Sequence, residues 1–343
     1  METQAKKLII NGRFLTQSTG GVQNYARGII KALRNEGISI EIVVPKGNHH
    51  TTDFHVKPIG LFRGFIWEQI VLPLYVRKRE NYLLLNLCNS APLLIKNKVV
   101  TIHDLAFEEK NNWFSPSFKR WYKFLIPRIC KKSKLIITVS EFSKRKIREK
   151  YGIAESKIVV APPGISEFTL DSDVPDYGNY VLLTGINNPR KNAQFVFNNL
   201  ELLKQRGLKV VALGGNNSHF KKESLPKNEF IIYLNSTSFT EYYSLLKNAR
   251  ALIYPSFYEG FGIPVLESIC LGTPVIVSDI EVFREVFGEI PHYFELGNKD
   301  SLAQAIDSLK DKKLPDKDIT NLKNKFTFES SAKRILNALN NIM

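Results

Sequence analysis

The chain has 343 residues, of which 43% are hydrophobic, 24% charged and 11% aromatic. These values are typical of a folded globular protein and exclude intrinsic disorder and low-complexity architectures. Single hydrophobic cores stop growing at about 250 to 300 residues, so we expect two domains.

The net charge of +15 comes entirely from the first half of the chain. Residues 1–165 carry 28 Lys and Arg against 12 Asp and Glu, whereas residues 166–343 carry 20 against 21. This asymmetry predicts that the first half faces nucleic acid, an acidic membrane surface or a phosphorylated substrate, with a merely lysine-rich surface as the alternative. The sequence has no base-stacking or groove-reading element, so we expect no nucleic-acid partner.

The sequence shows neither a membrane-spanning run nor a secretory signal, so we expect a cytoplasmic protein. No apolar run approaches the roughly 20 residues that cross a bilayer, and the apolar stretch 8–10 is too short for a secretory signal. The three cysteines, Cys88, Cys130 and Cys270, are odd in number and widely spaced. We therefore expect buried thiols rather than disulfides or a metal site.

Short apolar runs alternate with amphipathic patterns in the first half, which is typical of an α/β protein with a doubly wound parallel sheet. After a predicted strand at Lys7–Asn11, apolar residues at helical spacing from Val22 to Leu33 predict a helix that Gly37 ends. Further strands are predicted at Ser39–Val44, Tyr82–Asn86, Lys98–Ile102, Lys134–Val139 and Lys157–Val160, and helices at about 65–80, 115–131 and 141–150.

The same alternation resumes after an acidic stretch, Asp171–Asn179, that has the composition of a linker. It predicts a second doubly wound sheet. Its expected strands are Tyr180–Thr184, Lys209–Leu213, Phe230–Leu234, Ala251–Tyr254 and Pro274–Val277, and Ser330–Ile342 is predicted to be helical.

We therefore predict a first domain at 1–165, a linker at 166–179, a second domain at 180–326 and a C-terminal helix at 327–343 that packs back on the first domain. Open α/β sheets bind ligands at the carboxyl ends of their strands. We expect a cleft between the domains and a site that draws on both.

A glycine-rich segment follows the predicted strand Ala251–Tyr254. Glu259 and Glu267 are eight positions apart, with Gly260, Gly262 and Pro264 between them. This order predicts a turn whose backbone N–H groups approach a ligand, followed by a helix that begins near Pro264. The two carboxylates are placed to bind hydroxyl groups at two ends of a sugar nucleotide.

Two adjacent cations, Arg190 and Lys191, follow the predicted strand Tyr180–Thr184 and precede a predicted helix. Cations and a helix N-terminus at the carboxyl edge of a sheet predict a diphosphate site.

On these motifs and on the segment Leu271–Asp279, the chain resembles glycosyltransferase family 4, whose members are retaining enzymes of GT-B fold. The resemblance implies that Glu267 binds the ribose hydroxyls of a nucleotide and that Glu259 contacts the transferred sugar. It also implies that backbone amides near Phe261, Gly262 and Ile263 lie against that sugar and the distal phosphate. Many members carry an arginine six residues before the lysine, where this chain has Gly185.

The resemblance extends to the first half. The turn that contains Gly20 and Gly21 follows the first strand and matches a loop that approaches the donor phosphate and the acceptor. His103 follows the strand Lys98–Ile102 and matches a histidine that touches the transferred sugar, while Asp104 is expected to hold the loop. A lone histidine is otherwise more often a packed residue than a catalytic one.

The triplet Asp171-Ser172-Asp173 imitates the metal motif of another glycosyltransferase fold, but it lies in the predicted linker rather than at a strand end. We expect it to have no role, and we expect neither a metal nor another cofactor. Cations and helix N-termini would neutralise the leaving diphosphate.

Aromatic and basic residues interleave at 118–132, which predicts a helix that either binds anionic lipid headgroups or simply packs on the core with a solvated basic side. The combined hypothesis is a retaining glycosyltransferase that moves a hexose or deoxyhexose, with mannose or rhamnose favoured, to a lipid-linked oligosaccharide of O-antigen or capsule. It would act at the cytoplasmic face of the membrane as a peripheral protein.

Two alternatives stay open. A UDP-sugar 2-epimerase shares the two-domain fold and would produce an epimer from the donor without an acceptor. A non-catalytic sugar-nucleotide or membrane-binding paralogue would have no transferase activity. Glu267→Ala would then leave turnover unchanged.

Overall fold

The computed structural model describes residues 7–17, 20–47, 54–165, 167–171, 174–214, 226–235, 237–310 and 314–342. The chain divides into two α/β units. The first unit comprises residues 1–105, 120–164 and 326–343, and the second comprises residues 106–119 and 165–325.

The first unit contains a seven-stranded sheet in which all pairings are parallel, in the order β3-β2-β1-β4-β5-β6-β7. Its central strands are continuous apolar runs because helices cover both faces of such a sheet. The strand order reverses between β1 and β4, so this is the switch point at which a doubly wound sheet opens to ligands. The strands are β1 (Lys7–Asn11), β2 (Ile40–Pro45), β3 (Val56–Ile59), β4 (Tyr82–Asn86), β5 (Lys98–Thr101), β6 (Leu135–Thr138) and β7 (Ile158–Val160).

The helices of the first unit include one long segment with a π-helical turn. In this segment α2, the π turn and α3 follow one another without a break at residues 64–77, and we call it the 64–77 helix. The helical elements are α1 (Gly21–Asn35), α2 (Gly64–Ile66), the π turn (Trp67–Val71), α3 (Leu72–Arg77), α4 (Pro116–Lys132), α5 (Glu141–Tyr151) and, at the end of the chain, α13 (Phe328–Asn340).

The C-terminal helix packs on α1. The ring of Phe328 lies against Gly28, where an added Cβ atom would overlap it. The Ser331 hydroxyl donates a hydrogen bond to the carbonyl of Pro162 at 2.6 Å. In the same region, the Tyr25 hydroxyl of α1 donates to the carbonyl of Ala161 at 3.0 Å. The C-terminal segment is therefore a structural part of the first unit.

The second unit contains a six-stranded parallel sheet in the order β10-β9-β8-β11-β12-β13. Its switch point lies between β8 and β11. The strands are β8 (Tyr180–Thr184), β9 (Lys209–Leu213), β10 (Ile231–Leu234), β11 (Ala251–Tyr254), β12 (Val275–Ser278) and β13 (His292–Phe294). The helices are α6 (Ala193–Asn198), α7 (Leu200–Lys204), α8 (Phe239–Asn248), α9 (Ile263–Cys270), α10 (Glu281–Phe287), α11 (Lys299–Asp307) and α12 (Asp316–Lys325).

The two doubly wound parallel sheets confirm the predicted fold class. Two strands were not predicted, β3 and β13, and both lie at an edge of a sheet. β3 contains Pro58 and only partly buried or exposed residues, and β13 has three residues. Edge strands of this kind lack the continuous apolar run that identifies a central strand.

The unit boundaries also differ from the predicted domains. The linker predicted at 166–179 belongs to the second unit, and residue 326 belongs to the first. Residues 106–119 group with the second unit rather than with the rest of 1–165. Within that unit, Trp113 is buried and stacks on Phe257, with ring centroids 6.1 Å apart. Stacking of two aromatic rings far apart in sequence is a tertiary contact that the local pattern of residues does not encode.

The cysteines are thiols, and none forms a disulfide. All three cysteines are free; Cys130 and Cys270 are buried, whereas Cys88 is half-buried. Burial raises the pKa of Cys130 to about 12 and that of Cys270 to about 11. Among the helices that the structure describes, none combines the length and apolar character needed to cross a membrane.

Candidate active site

The predicted donor residues of the second unit lie at its switch point. β8 ends at Thr184, and the chain turns at Gly185, whose φ of +70° favours glycine. A single helical turn, Pro189–Lys191, follows, with the side chain of Asn188 accepting a hydrogen bond from the Arg190 amide at 3.1 Å. This turn fixes the backbone of the two cations ahead of α6.

Arg190 and Lys191 both bind Glu259. The Arg190 guanidinium lies 2.9 Å from Oε2 of Glu259, and Nζ of Lys191 lies 2.6 Å from Oε1. Lys191 also contacts the hydroxyl of Tyr254, at the carboxyl end of β11, and Arg190 donates to the carbonyl of Tyr258. The two loops that sequence analysis singled out separately therefore meet in one cluster.

The electrostatics of this cluster favour a permanently ionised carboxylate. Burial alone would raise the pKa of Glu259, but the charges and hydrogen bonds of Arg190 and Lys191 outweigh burial and hold this pKa at about 2. The cluster thus has two cations and one anion. Its excess positive charge at the end of a parallel sheet suits a ligand with more than one negative charge.

A tight turn leads the backbone from Glu259 into α9. Gly262 has a φ of +105° and caps the helix, and a Cβ atom there would lie 2.7 Å from Cε1 of Phe283. Both the positive φ and the lack of space for a Cβ atom require glycine at this position. Phe261 is buried and Ile263 begins α9, with Pro264 in its first turn. The predicted turn and helix start are therefore present.

Glu267 lies on α9 and is held by two tyrosines of α8. Tyr242 donates to Oε2 at 2.9 Å and Tyr243 to Oε1 at 3.4 Å. Burial raises the pKa of Glu267 to about 7, although both hydrogen bonds act against that increase. The carboxylate is thus positioned and partly neutralised by burial before any ligand arrives.

The two glutamates act on a common neighbour. Burial raises the pKa of Tyr254 well above its ordinary value, and the negative charges of Glu259 and Glu267 add to that increase. Nζ of Lys191 contacts both the Tyr254 hydroxyl and Oε1 of Glu259, so Tyr254 belongs to the same cluster. Sequence analysis did not identify Tyr242, Tyr243 or Tyr254 as site residues, because adjacent tyrosines in an amphipathic helix and a tyrosine ending a strand are common in packed cores.

In the first unit, His103 follows β5 and is buried. Its Nε2 lies 3.0 Å from the carbonyl oxygen of Leu87, and its backbone N–H donates to Oδ1 of Asn89 at 2.7 Å. Its ring contacts Tyr25 edge-on, with centroids 4.9 Å apart. Burial lowers the pKa of His103, so the ring is neutral at pH 7; Nε2 then carries the proton that Leu87 accepts, and Nδ1 is an acceptor.

Gly20 and Gly21 are exposed at the beginning of α1. Gly20 has extended backbone angles and caps the helix, which places the N-terminal N–H groups of a 15-residue helix at this turn. Ser18 and Thr19 of the same turn lie outside the described residues.

A buried polar cluster at the switch point of the first unit was not predicted. Glu68 is fully buried and accepts hydrogen bonds from Asn11 at 2.8 Å, from Arg13 at 3.1 Å and from Ser90 at 2.8 Å. Asn11 also donates to Asn86, which ends β4. The sequence signal was a glutamate between apolar residues of the 64–77 helix. The cluster fixes the carboxyl ends of β1 and β4 beside the His103 loop.

Of the predicted linker triplet, only Asp171 is described. Its backbone N–H donates a hydrogen bond to the hydroxyl oxygen of Ser244 at 2.6 Å, and its carbonyl accepts one from that hydroxyl at 3.0 Å. Ser172 and Asp173 lie outside the described residues.

Two doubly wound parallel sheets in one chain, with a cation cluster at the switch point of the second, define the GT-B class of protein. The family model for Glycosyltransferase Family 4 matches residues 19–167, and the model for Glycosyl transferases group 1 matches residues 170–326. The chain therefore belongs to glycosyltransferase family 4.

Curated relatives agree with this assignment. The O-antigen chain mannosyltransferase RfbU of Salmonella typhimurium is 30% identical over 231 residues, 65% of this chain and 63% of that protein. The O-antigen chain mannosyltransferase B of Escherichia coli is 25% identical over 240 residues, 64% of this chain and 63% of that protein. Each match thus spans less than two thirds of the relative's length.

Solved structures share the fold. The structure of Anabaena Alr3699/HepE in complex with UDP-glucose superposes with a TM-score of 0.71 at 15% identity and covers 98% of this chain and 100% of that chain. At this identity the similarity concerns the fold alone.

Proposed function

We propose that this protein transfers a hexose or deoxyhexose, with mannose favoured, from a nucleotide-diphosphate sugar to a lipid-linked oligosaccharide of a bacterial surface polysaccharide. Membership of glycosyltransferase family 4 supports the reaction class. Mannose and O-antigen are favoured because two matched relatives are O-antigen chain mannosyltransferases.

The observation that carries the proposal is the cluster of Arg190, Lys191 and Glu259 at the switch point of the second sheet. The two cations would bind the donor diphosphate, and their charge would stabilise it as it leaves. Glu259 would hold these cations in place and reach the hydroxyl groups of the transferred sugar. Backbone N–H groups near Phe261, Gly262 and Ile263 would contact the sugar and the distal phosphate.

Glu267 would bind the ribose of the donor through its hydroxyl groups. Its geometry supports this role because Tyr242 and Tyr243 fix the carboxylate by two hydrogen bonds and leave further acceptor positions on its oxygens. Restricting the side chain in advance lowers the entropy lost on binding.

The chemical step would break the bond between the anomeric carbon of the sugar and the diphosphate oxygen and form a bond to an acceptor hydroxyl oxygen. The acceptor would attack on the face that the diphosphate leaves, which retains the anomeric configuration, and its proton would pass to the departing phosphate oxygen. Charge on that oxygen would be stabilised by Lys191 and Arg190 rather than by a metal.

The first unit would supply the acceptor side. Nδ1 of the neutral His103 is a hydrogen-bond acceptor suited to a sugar hydroxyl, and the N-terminal turn of α1 at Gly20 and Gly21 suits a phosphate. An acceptor on a lipid carrier would bring the basic first half against an acidic membrane surface. Peripheral association with the cytoplasmic face of the membrane is part of this proposal.

A thermal-shift panel of GDP, UDP, dTDP and ADP sugars tests the donor assignment, because a ligand that binds the native state raises the melting temperature. We expect one nucleotide to stabilise the wild type. Glu267→Ala is expected to remove most of that shift, since it deletes the ribose acceptors.

Glu229→Ala is the matched control. Glu229 is exposed and precedes β10, at the amino ends of the strands, opposite to the site. Its variant should respond like the wild type. Equal responses of wild type and Glu267→Ala to every nucleotide would overturn the donor site.

A further inference from the structure

The first unit exposes a row of large apolar side chains along the 64–77 helix. Ile66, Ile70 and Leu74 are 52% to 56% exposed, and Phe62, just before the helix, is 54% exposed. The spacing of four residues places Ile66, Ile70 and Leu74 on one helical face, and Phe62 lies just before the helix. We call Phe62, Ile66, Ile70 and Leu74 the apolar stripe.

The other face of the same helix is packed in the core. Trp67, Leu72 and Val76 are fully buried, in a cluster that includes Ile9 and Val43 of the central strands. The indole N–H of Trp67 also donates to the carbonyl of Ile59 at 2.9 Å. The helix is therefore anchored by one face, and the exposure of the stripe does not arise from a loosely placed segment.

Basic residues flank the apolar stripe. Arg63 lies between Phe62 and Ile66 in the chain, and Arg77 and Lys78 follow Leu74; all three are exposed. The half of the chain that contains the stripe carries the whole net positive charge of the protein. An apolar face bordered by cations is complementary to a bilayer of anionic lipids, in which acyl chains lie beneath negative headgroups.

Helix α4 extends this surface. Phe65, beside the stripe, contacts Trp121 edge-on at 5.4 Å between ring centroids, and Trp121 stacks with the exposed Phe124 at 5.9 Å. Arg120 and Arg128 are exposed one turn before and one turn after Phe124. A continuous chain of aromatic contacts thus joins the stripe to the basic face of α4.

We propose that the apolar stripe inserts into the interface of an anionic bilayer while the basic face of α4 binds lipid headgroups. The stripe supplies the apolar contact that cations alone cannot provide, and its position lies outside the segment 118–132 that the sequence singled out. This inference deepens the proposed lipid-linked acceptor, but it depends on none of the donor-site residues.

The test is co-sedimentation of the full-length protein with vesicles of phosphatidylglycerol and phosphatidylethanolamine, compared with vesicles of phosphatidylcholine alone. We expect binding to the anionic vesicles. Ile66→Ser combined with Ile70→Ser is expected to weaken that binding at least about tenfold, because two apolar side chains no longer enter the interface. Arg120→Gln combined with Arg128→Gln should weaken it as well and should reduce its dependence on salt.

Leu170→Ser is the matched control, since Leu170 is 49% exposed and belongs to the second unit. It should bind vesicles like the wild type. The stripe variant should keep the wild-type melting temperature and the wild-type shift on nucleotide addition, which separates a failure of this surface from a failure of the donor site.

Two results would overturn the proposal. One is equal vesicle binding by the wild type and the stripe variant. The other, from light scattering, is a wild-type dimer that the stripe variant converts to a monomer, which would make the stripe an interface between two copies of the chain.

Discussion

Glu259 is the residue on which the donor cluster depends, because it is the shared counterion of Arg190 and Lys191. All three side chains are largely withdrawn from solvent. Removing one member of a buried ion cluster leaves the remaining buried charges unpaired. The resulting loss of folding stability exceeds the stability that the intact cluster contributes. The glutamate therefore has a structural function in the ligand-free protein in addition to its proposed contact with the sugar.

Glu259→Gln is predicted to lower the free energy of unfolding at pH 7 by about 3 kcal/mol, the equivalent of the pKa change from 4.5 to about 2. Because the folded-state pKa is depressed, this stabilisation is fully present above about pH 4.5 and is lost as the pH falls toward 2. Urea unfolding of wild type and variant across this range measures it.

The control for this prediction is Glu229→Gln, which replaces an exposed glutamate of the same unit. Its stability should track that of the wild type at every pH. A difference between wild type and Glu259→Gln that stays constant down to pH 2 would show that the carboxylate is not held ionised by its two neighbours.

The positions of the individual candidate residues could be predicted from the sequence, but their contacts could not. Arg190, Lys191, Glu259 and Glu267 each follow a strand in a recognisable order, so their positions at one sheet edge could be predicted. That Glu259 binds both cations could not, because it depends on how two loops meet. The tyrosines that hold Glu267 were missed for the same reason.

At the scale of elements, the central strands were predictable, whereas two of the four edge strands, β3 and β13, were not. A strand buried on both faces must be apolar throughout, which is why β1, β4, β8 and β11 could be located to within a residue. β3 and β13 at the sheet edges are partly exposed and carry polar residues or proline. Their existence follows from pairing with a neighbour rather than from their own sequence.

The packing of α13 on α1 gives a test at this scale. Replacing glycine by alanine in an exposed helix usually raises the free energy of unfolding. At Gly28, however, the added Cβ atom would overlap the ring of Phe328. We predict that Gly28→Ala lowers the free energy of unfolding by about 1 to 3 kcal/mol, measured by urea denaturation.

The double variant supplies the control. With Phe328→Ala in place the ring is gone, so adding Gly28→Ala should be neutral or stabilising. If Gly28→Ala costs as much in that background as in the wild type, α13 does not pack on α1 in the way described.

At the scale of the whole molecule, charge and exposed apolar surface are unevenly distributed between the two halves of the sequence. The positive charge belongs to the first half, as does the apolar stripe, whereas the ionised cluster proposed to bind the donor belongs to the second unit. This division is consistent with one unit that serves a membrane-linked acceptor and another that serves a water-soluble nucleotide sugar.

The most direct test of the central claim is transfer of radiolabelled sugar from each of the four nucleotide sugars into the lipid-extractable fraction of bacterial membranes. We predict that one donor labels this fraction with the wild-type protein and that Glu267→Ala lowers the rate about 100-fold, as expected for the loss of charge-assisted hydrogen bonds to the ribose. Labelling that is unaffected by Glu267→Ala would contradict the donor site. Donor converted to an epimer, with no label in the lipid fraction, would contradict glycosyl transfer itself.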